Sequence, residues 1–190
     1  MDSTRKSLIV RIRDKQDRTA WRTFYDLYSP LLYRYARHRG LSHHDAEEIQ
    51  SQVLEVISRK IETYDYQPSR GRFRSWLRKL VVNKTIDARR RRNAVAGGSR
   101  LDDAAIVEDM SVAWDLEWHN ARLAFCLEQA RSRTPQRAYQ IFHLLIIEEK
   151  RVGDVSEIFD TTPNQIYKVK SLVMSEVRRA LGEFDQEFAD

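Results

Sequence analysis

Several features of common protein classes are scarce or absent in this sequence. Cys126 is its only cysteine, which excludes an internal disulfide and any cysteine-rich zinc site. No apolar run approaches the roughly 18 residues that a membrane-spanning helix needs, and the longest aliphatic run is residues 144–147. Residues 1–6 lack the apolar core of a signal peptide. We therefore expect a cytoplasmic protein that does not associate with membranes.

Recognisable sites for chemistry are also missing from the sequence. The histidines show no metal-ligand spacing beyond the adjacent pair His43 and His44, and adjacent side chains on a helix form a poor chelate. No serine, cysteine or carboxylate lies in a recognisable catalytic motif. We therefore predict a protein that is not an enzyme and that has no catalytic residue, no metal site and no cofactor.

Glycine and proline, which interrupt regular structure, number only six and four. Apolar residues recur at helical spacing almost throughout, and no stretch alternates strictly as a half-buried strand would. This pattern predicts an all-α fold.

Charge is distributed unevenly along the chain. Residues 1–92 hold 22 Lys and Arg against 11 Asp and Glu, whereas residues 93–190 hold 11 against 17. The excess of positive charge predicts that the first half binds a polyanion, and nucleic acid is the commonest soluble candidate. Residues 135–190, with seven against ten, are net acidic, so the charge balance does not point the second half at a polyanion.

Residues 71–92 predict a helix with two different sides. Its apolar residues recur at helical steps and form a core-facing stripe of Phe73, Trp76, Leu77, Leu80 and Val81. Steps of three, four and seven residues place a second set of side chains, mostly cationic, along another side of the helix, namely Arg74, Arg78, Thr85, Arg89 and Arg92. Four consecutive arginines end the helix. Such a face is either simply solvated or binds a polyanion.

Two helices are predicted before this basic helix. The first covers residues 17–37 and buries an aromatic stripe. Gly40 closes it, and Ser42 is the N-cap of the second helix, residues 43–63. The second helix has an apolar side of Ala46, Ile49, Val53, Ile57 and Ile61. Its opposite side carries an acidic row of Asp45, Glu48, Gln52 and Glu55, which fits either a solvated face or a docking surface for a basic partner.

The loop that enters the basic helix combines aromatic and hydrogen-bonding side chains. Tyr64, Tyr66 and Gln67 are of the kinds that hold unstacked bases, although a plain solvent loop has the same composition.

The second half begins with a change of composition. Residues 93–113 are acidic and Gly-rich with little hydrophobic repetition, which predicts a flexible linker between two small helical domains, 1–92 and 114–190. Thr134 is expected to cap a helix that starts at Pro135.

A helix-turn-helix is predicted near the end of the chain. Its short first helix covers residues 154–159, with Val155, Ile158 and Phe159 turned inward. A long second helix follows, capped by Thr162 and Gln165. Side chains near its N-terminus would face bases, namely Thr161, Asn164, Gln165, Tyr167, Lys168 and Ser171.

Taken together, these segments resemble the extracytoplasmic-function (ECF) sigma factors of bacterial RNA polymerase. Residues 45–54 resemble the part of sigma region two that docks on the polymerase, and residues 71–92 resemble the part that opens the promoter. Residues 134–181 resemble sigma region four. The sequence motif at residues 73–77, followed by Asn83, is the most specific match to this family. Residues 166–171 are similar to a variant that is common among its planctomycete members.

The resemblance implies a promoter-specific transcription initiation factor that binds core RNA polymerase and promoter DNA. It implies docking on the largest-subunit coiled coil by Asp45, Glu48, Gln52 and Glu55, with a further contact to the flap. It implies recognition and melting of the upstream promoter element by Tyr64, Tyr66, Arg70, Arg74, Trp76, Arg78, Asn83, Lys84, Arg89, Arg90, Arg91 and Arg92. For the distal element it implies Thr161, Thr162, Asn164, Gln165, Tyr167, Lys168 and Ser171. An anti-sigma factor is a further possible partner.

Two other classes of function fit parts of the sequence. A stand-alone helix-turn-helix regulator would bind duplex DNA without polymerase. A nucleic-acid enzyme would need acidic metal ligands beside the basic face, and Asp87 alone does not suffice. Asp87 lies one turn after Asn83, and its position fits a pair along the helix with Lys84 or Arg91 equally well.

Overall fold

The computed structural model describes residues 8–63, 73–95 and 103–187. These residues form helices and no strands, as the sequence predicts. The helices are α1 (Leu8–Arg11), α2 (Arg18–His38), α3 (His43–Lys60), α4 (Phe73–Val95), α5 (Asp103–Arg133), α6 (Gln136–Phe142), α7 (Val152–Ile158) and α8 (Pro163–Glu187), and a π-helical turn, His143–Ile147, continues α6. None of the helices in these ranges is long and apolar enough to cross a membrane.

The chain divides into two compact units, and the division falls within α5. The first unit extends to Ala121 and the second covers Arg122–Gln186. The structure therefore differs from the predicted limits in two respects. Helix α5 begins at Asp103, inside the segment predicted to be a linker, and its residues up to Ala121 belong to the first unit.

The first unit is built on α2, α3 and α4. The aromatic stripe of α2 supplies its centre, where Phe24 and Tyr28 are stacked at 4.3 Å between ring centroids. Phe73 at the start of α4 meets both rings edge-on, at 6.0 and 5.7 Å. The predicted apolar side of α3 is buried throughout. Edge-to-face rings add attraction to the burial of their apolar area, so this cluster fixes the basic helix on the unit.

The beginning of α5 packs on the same unit through two tryptophans and a buried carboxylate. Trp114 is fully buried and meets Tyr35 at 5.6 Å, while Trp118 lies 5.7 Å from Tyr28. Between them, Glu117 is 3% exposed and is paired with His38 and with Arg34, whose Nε lies 3.8 Å from Oε2. The two tryptophans were predicted to belong to the second domain, and their packing explains why the first unit extends to Ala121.

The second unit has two adjoining clusters of buried side chains. One joins α5, α6 and α8 through Ala130, Phe142 and Val173. The other, made of Ile141, Val155 and Ile166, holds α7 and the start of α8 against α6. The prediction for α7 is wrong at Ile158, which is 63% exposed. Val152, Val155 and Phe159 form the inner side of α7, and Ile158 lies to one side of that stripe.

The helix ends test the predicted caps. Gly40 has φ of +79°, as expected for a residue that closes a helix. The Ser42 hydroxyl accepts a hydrogen bond from the Asp45 amide at 3.1 Å, which confirms the N-cap of α3. The prediction for Thr134 is wrong. Its hydroxyl donates to the Ala130 carbonyl at 2.9 Å, at the end of α5, and gives α6 no side-chain cap.

Candidate nucleic-acid interface

Helix α4 buries the stripe that the sequence predicts. Phe73, Leu77 and Val81 are fully buried, and Trp76 and Leu80 are half-buried at the margin of the stripe. Since these positions recur every three or four residues, the remaining positions of the helix turn away from the core. The buried stripe therefore holds the cations of α4 on the surface of the first unit.

Most cations of α4 lie on that surface without an acidic partner. Arg78, Lys84 and Arg89 are half-exposed and Arg91 is exposed. In the described part of the chain none of these four pairs with a carboxylate. Asn83 is also exposed, one position before Lys84. This surface combines uncompensated positive charge with an amide, so it suits phosphates and base edges.

Arg74 is positioned differently from the other arginines. Its guanidinium pairs with Asp115 and lies 5.1 Å from the centre of the Trp118 ring. Its side chain is 28% exposed. Because α5 supplies both contacts, the charge of Arg74 is already partly balanced within the first unit.

Thr85 contradicts the predicted division of the helix into two sides. It was expected among the cations, but it is fully buried and its hydroxyl donates to the Val81 carbonyl at 2.8 Å. The spacing explains the error, because Thr85 continues the series of Phe73, Leu77 and Val81 in steps of four. A threonine fits such a core position because its hydroxyl is satisfied within its own helix.

The arginine run at the end of α4 serves partly structural roles. Arg92 donates to the Gly40 carbonyl at 2.8 Å and so connects the end of α4 with the turn before α3. Asp87 does not pair with Lys84 or Arg91, although its position fits both. Its carboxylate lies 4.0 Å from Arg90, and both side chains are largely exposed. Exposed pairs of this kind contribute little to stability.

The acidic row of α3 lies along one exposed side of the helix, as its spacing predicts. The Gln52 amide donates to Glu48 at 2.7 Å, and Glu55 pairs with Arg59 at 2.5 Å. Asp45 accepts a hydrogen bond from the Ser42 hydroxyl at 2.7 Å, and this bond is the main reason why the pKa of Asp45 is lowered. The positive charge of Arg92 lowers the pKa of Asp45 further. The lowered pKa keeps Asp45 ionised at neutral pH.

The side chains predicted to read the distal element fall into two groups. Thr161, Thr162 and Gln165 form hydrogen bonds with one another at the start of α8. The backbone N–H of Thr162 donates to the side-chain Oε1 of Gln165 at 3.2 Å, and the backbone N–H of Gln165 donates to Thr162 Oγ1 at 3.3 Å. This confirms the predicted capping box. The other group, without such a role, is exposed and consists of Asn164, Tyr167, Lys168 and Ser171.

Three predicted site residues, Tyr64, Tyr66 and Arg70, lie outside the described residues. Asp115 and His119 were not predicted, although both lie beside cations of α4 at a cavity described below. The sequence contains a signal for them. Trp114 and Trp118 are one helical turn apart, next to acids, and such a pattern indicates a helix face that packs on a basic surface.

The described residues contain no cluster of three or more metal-ligating side chains. Cys126 is buried, and burial raises the pKa of its thiol to about 11. Because the thiolate is the nucleophilic form, this cysteine is inert at neutral pH.

A comparison with protein families places this geometry in context. Residues 24–95 match the family model Sigma-70 region 2. The matched segment starts within α2 and ends with α4, so it contains the acidic row of α3 and the whole basic helix. The match supports a role as an RNA polymerase sigma factor, a family without enzymatic activity whose partners are core polymerase and DNA.

Proposed function

We propose that this protein is an ECF-type sigma subunit that directs promoter-specific initiation by bacterial RNA polymerase. One observation carries the proposal. The exposed acidic row of α3 and the uncompensated cations of α4 belong to a single packed unit, within the segment that matches Sigma-70 region 2. A protein with this pair of surfaces can hold a basic partner and a nucleic acid at the same time.

The acidic row is the proposed docking surface for core polymerase. Asp45, Glu48 and Glu55 supply carboxylates and Gln52 supplies an amide, all on one side of an 18-residue helix. The apolar side of the same helix is buried, so the row is held on a fixed support. The partner that fits such a row is a basic helix surface such as a coiled coil, and complementary charge sets both the orientation and the rate of association.

Helix α4 is the proposed element for opening the upstream promoter. Arg78, Lys84, Arg89 and Arg91 offer charge to phosphates, and Asn83 offers an amide to a base edge. Neutralising phosphates releases counterions, so the affinity for promoter DNA should fall steeply with salt. The tyrosines at 64 and 66 are proposed to stack on the unpaired bases, as the sequence resemblance implies.

Helices α7 and α8 are the proposed distal-element module. The exposed side chains of Asn164, Tyr167, Lys168 and Ser171 lie in the first half of α8, the part of a recognition helix that contacts bases. The capping box of Thr162 and Gln165 sets the direction in which α8 begins.

Charge reversal on α3 tests the docking step. The double variant Glu48→Lys, Glu55→Lys should bind core polymerase at least about tenfold more weakly, because like charges facing each other at an interface cost several kcal/mol. The matched control, Glu47→Lys with Glu62→Lys, introduces the same charge change at exposed acids outside the row. Affinity is measured by titrating core polymerase with labelled protein.

Docking through this row would be contradicted if both double variants lost the same affinity for core polymerase, or if Glu48→Lys with Glu55→Lys lost none. Start-site-specific transcription by the wild-type holoenzyme would distinguish the proposed function from that of a stand-alone regulator, which would bind duplex DNA tightly without polymerase.

A further inference from the structure

Helix α4 and the beginning of α5 line a cavity of about 400 Å³ in the first unit. Its described lining consists of Arg74, Ser75, Arg78, Trp114, Asp115 and His119. The volume lies within the range of about 300–1,000 Å³ that is usual for small-molecule sites.

Four ionisable residues line this cavity, and they form two levels that are one helical turn apart along α4 and α5. Arg74 and Arg78 are one turn apart on α4, and Asp115 and His119 are one turn apart on α5. At the first level, Asp115 pairs with Arg74. At the second level, the lining residues are Arg78 and His119, and no described carboxylate pairs with Arg78. The cavity therefore keeps one uncompensated positive charge.

The cavity also has more hydrogen-bond donors than acceptors. The Nε1–H of Trp114 is buried and has no acceptor among the described residues. Ser75 adds a hydroxyl, and His119 adds a ring nitrogen that carries a proton in one of its tautomers. The Asp115 carboxylate, the natural acceptor in this set, is already engaged by Arg74. With Arg78, Ser75 and His119 able to donate and Asp115 engaged, the lining favours a ligand that brings acceptor oxygens.

We propose that this cavity binds a phosphate group, with Arg78 and His119 as its main ligands. A guanidinium matches two phosphate oxygens at once, and a third oxygen can accept from Ser75. The phosphate belongs either to a free nucleotide or to the backbone of a nucleic-acid strand. The site rests on the proposed function for Arg78 and extends it, because His119 lies on α5, outside the basic helix and outside the matched segment.

The test is isothermal titration of the full chain, without polymerase, with three probes: inorganic phosphate, a nucleoside triphosphate and a short oligothymidylate. The variants are Arg78→Gln and His119→Gln. Lys79→Gln is the matched control, since it removes a neighbouring positive charge of α4 that does not line the cavity. Both cavity positions are at least partly exposed, so neither change should disturb folding, and circular dichroism checks this.

We expect Arg78→Gln to weaken binding about tenfold or more, as for the loss of a charge-assisted hydrogen bond, and His119→Gln to weaken it several-fold. Lys79→Gln should change binding of phosphate and triphosphate less than about twofold. If the two cavity variants bind the triphosphate more weakly than the wild type does, the ligand is a free nucleotide. If they bind only the oligothymidylate more weakly, the ligand is a phosphate of a nucleic-acid strand. The proposal is overturned if no probe binds the wild type, if His119→Gln has no effect on binding, or if Lys79→Gln weakens binding as much as Arg78→Gln. A loss with Arg78→Gln alone would leave the proposed function intact and remove the cavity site.

Discussion

Helix α4 of the first unit and the second unit as a whole differ in how many of their cations pair with a carboxylate. In the second unit, Arg122, Arg131, Arg133 and Arg179 each pair with a carboxylate of the same unit. Residues 122–186 hold ten Lys and Arg against nine Asp and Glu, so the charges nearly balance. In α4 of the first unit, eight cations stand beside a single acid, Asp87. Helix α4 thus carries far more cations than its own single acid can pair with.

This difference indicates which unit can bind a polyanion strongly. A cation that is already paired must give up its partner before it binds a phosphate. Arg78, Lys84, Arg89 and Arg91 pair with no carboxylate among the described residues, so they exchange mainly water and counterions. Under the proposed function, the first unit therefore supplies most of the affinity for promoter DNA. The second unit adds the positioning of a few exposed polar groups on α8.

Removal of four cations from each unit tests this comparison most strongly. Replacement of residues 89–92 by glutamine should lower promoter opening by the holoenzyme at least about 100-fold, because several phosphate contacts are lost together, while core binding persists. The matched α8 variant, with Lys168, Lys170, Arg178 and Arg179 replaced by glutamine, should lose about tenfold or less. Opening is followed by a fluorescent base in the melted strand.

A second α4 variant separates charge from structure. Arg92 also donates to the Gly40 carbonyl, so a triple replacement at residues 89–91 keeps that bond intact. This triple variant should still show most of the defect in promoter opening. Its affinity for promoter DNA should also depend less steeply on salt, with the slope of log affinity against log salt concentration reduced by about one for each lost phosphate contact. A larger defect in the α8 variant than in either α4 variant would reverse the comparison.

Much of the fold could be predicted from the sequence because helical periodicity and capping are local. The buried side of α3 follows from the spacing of Ala46, Ile49 and Val53, and the starts of α3 and α8 follow from Ser42 and Thr162. The acidic row and most of the cationic surface follow from the same periodicity. What periodicity alone does not reveal is which side of a helix another segment covers.

Helix α5 illustrates that limit. Trp114 and Trp118 follow a stretch with little hydrophobic repetition, so the sequence suggested a domain boundary just before them. Their rings instead pack on Tyr35 and Tyr28 of α2, far away in the sequence. Such packing depends on tertiary contacts, which the spacing of residues along one helix does not reveal.

Glu117 provides the second test, because the two units also differ in how carboxylates stabilise them. Glu117 is buried, whereas Glu128 in the second unit is exposed. Glu117→Gln should destabilise the first unit by about 2 kcal/mol, less than for a fully buried pair because Arg34 and His38 remain partly solvated. Amide hydrogen exchange of α2 peptides measures this loss.

Glu128→Gln is the control for that prediction. It breaks a pair with Arg131 at the surface and should leave exchange in α5 and α6 unchanged. If Glu117→Gln also leaves hydrogen exchange unchanged, α5 does not depend on this carboxylate for its packing on the first unit.

The capping boxes provide a third comparison, since one contains a titrating group and the other does not. Ser42→Ala and Thr162→Ala should each destabilise the start of their helix by about 1 kcal/mol at pH 7. The folded pKa of Asp45 is lowered by Ser42, so this contribution is present above the ordinary aspartate pKa and is lost as pH falls through the lowered value. The effect of Ser42→Ala should therefore shrink in acid.

The effect of Thr162→Ala should be independent of pH over the same range, because Gln165 does not ionise. Hydrogen exchange of the first turns of α3 and α8, compared at pH 7 and near pH 3, measures both. A constant effect of Ser42→Ala would mean that Asp45 does not contribute through its charge.

The smallest effect is expected at Thr85, where α4 has a hydroxyl in its core. Valine has the same shape, and the Val81 carbonyl keeps its helical hydrogen bond, so Thr85→Val should change stability by no more than about 1 kcal/mol. The matched change in the second unit is Thr134→Val, since the Thr134 hydroxyl likewise donates to a carbonyl four residues back. Neither variant should alter the salt dependence of DNA binding, measured by fluorescence anisotropy. A several-fold loss of DNA affinity for Thr85→Val alone would place Thr85 on the nucleic-acid surface, contrary to its complete burial, because the buried side of α4 would then have to open when DNA binds.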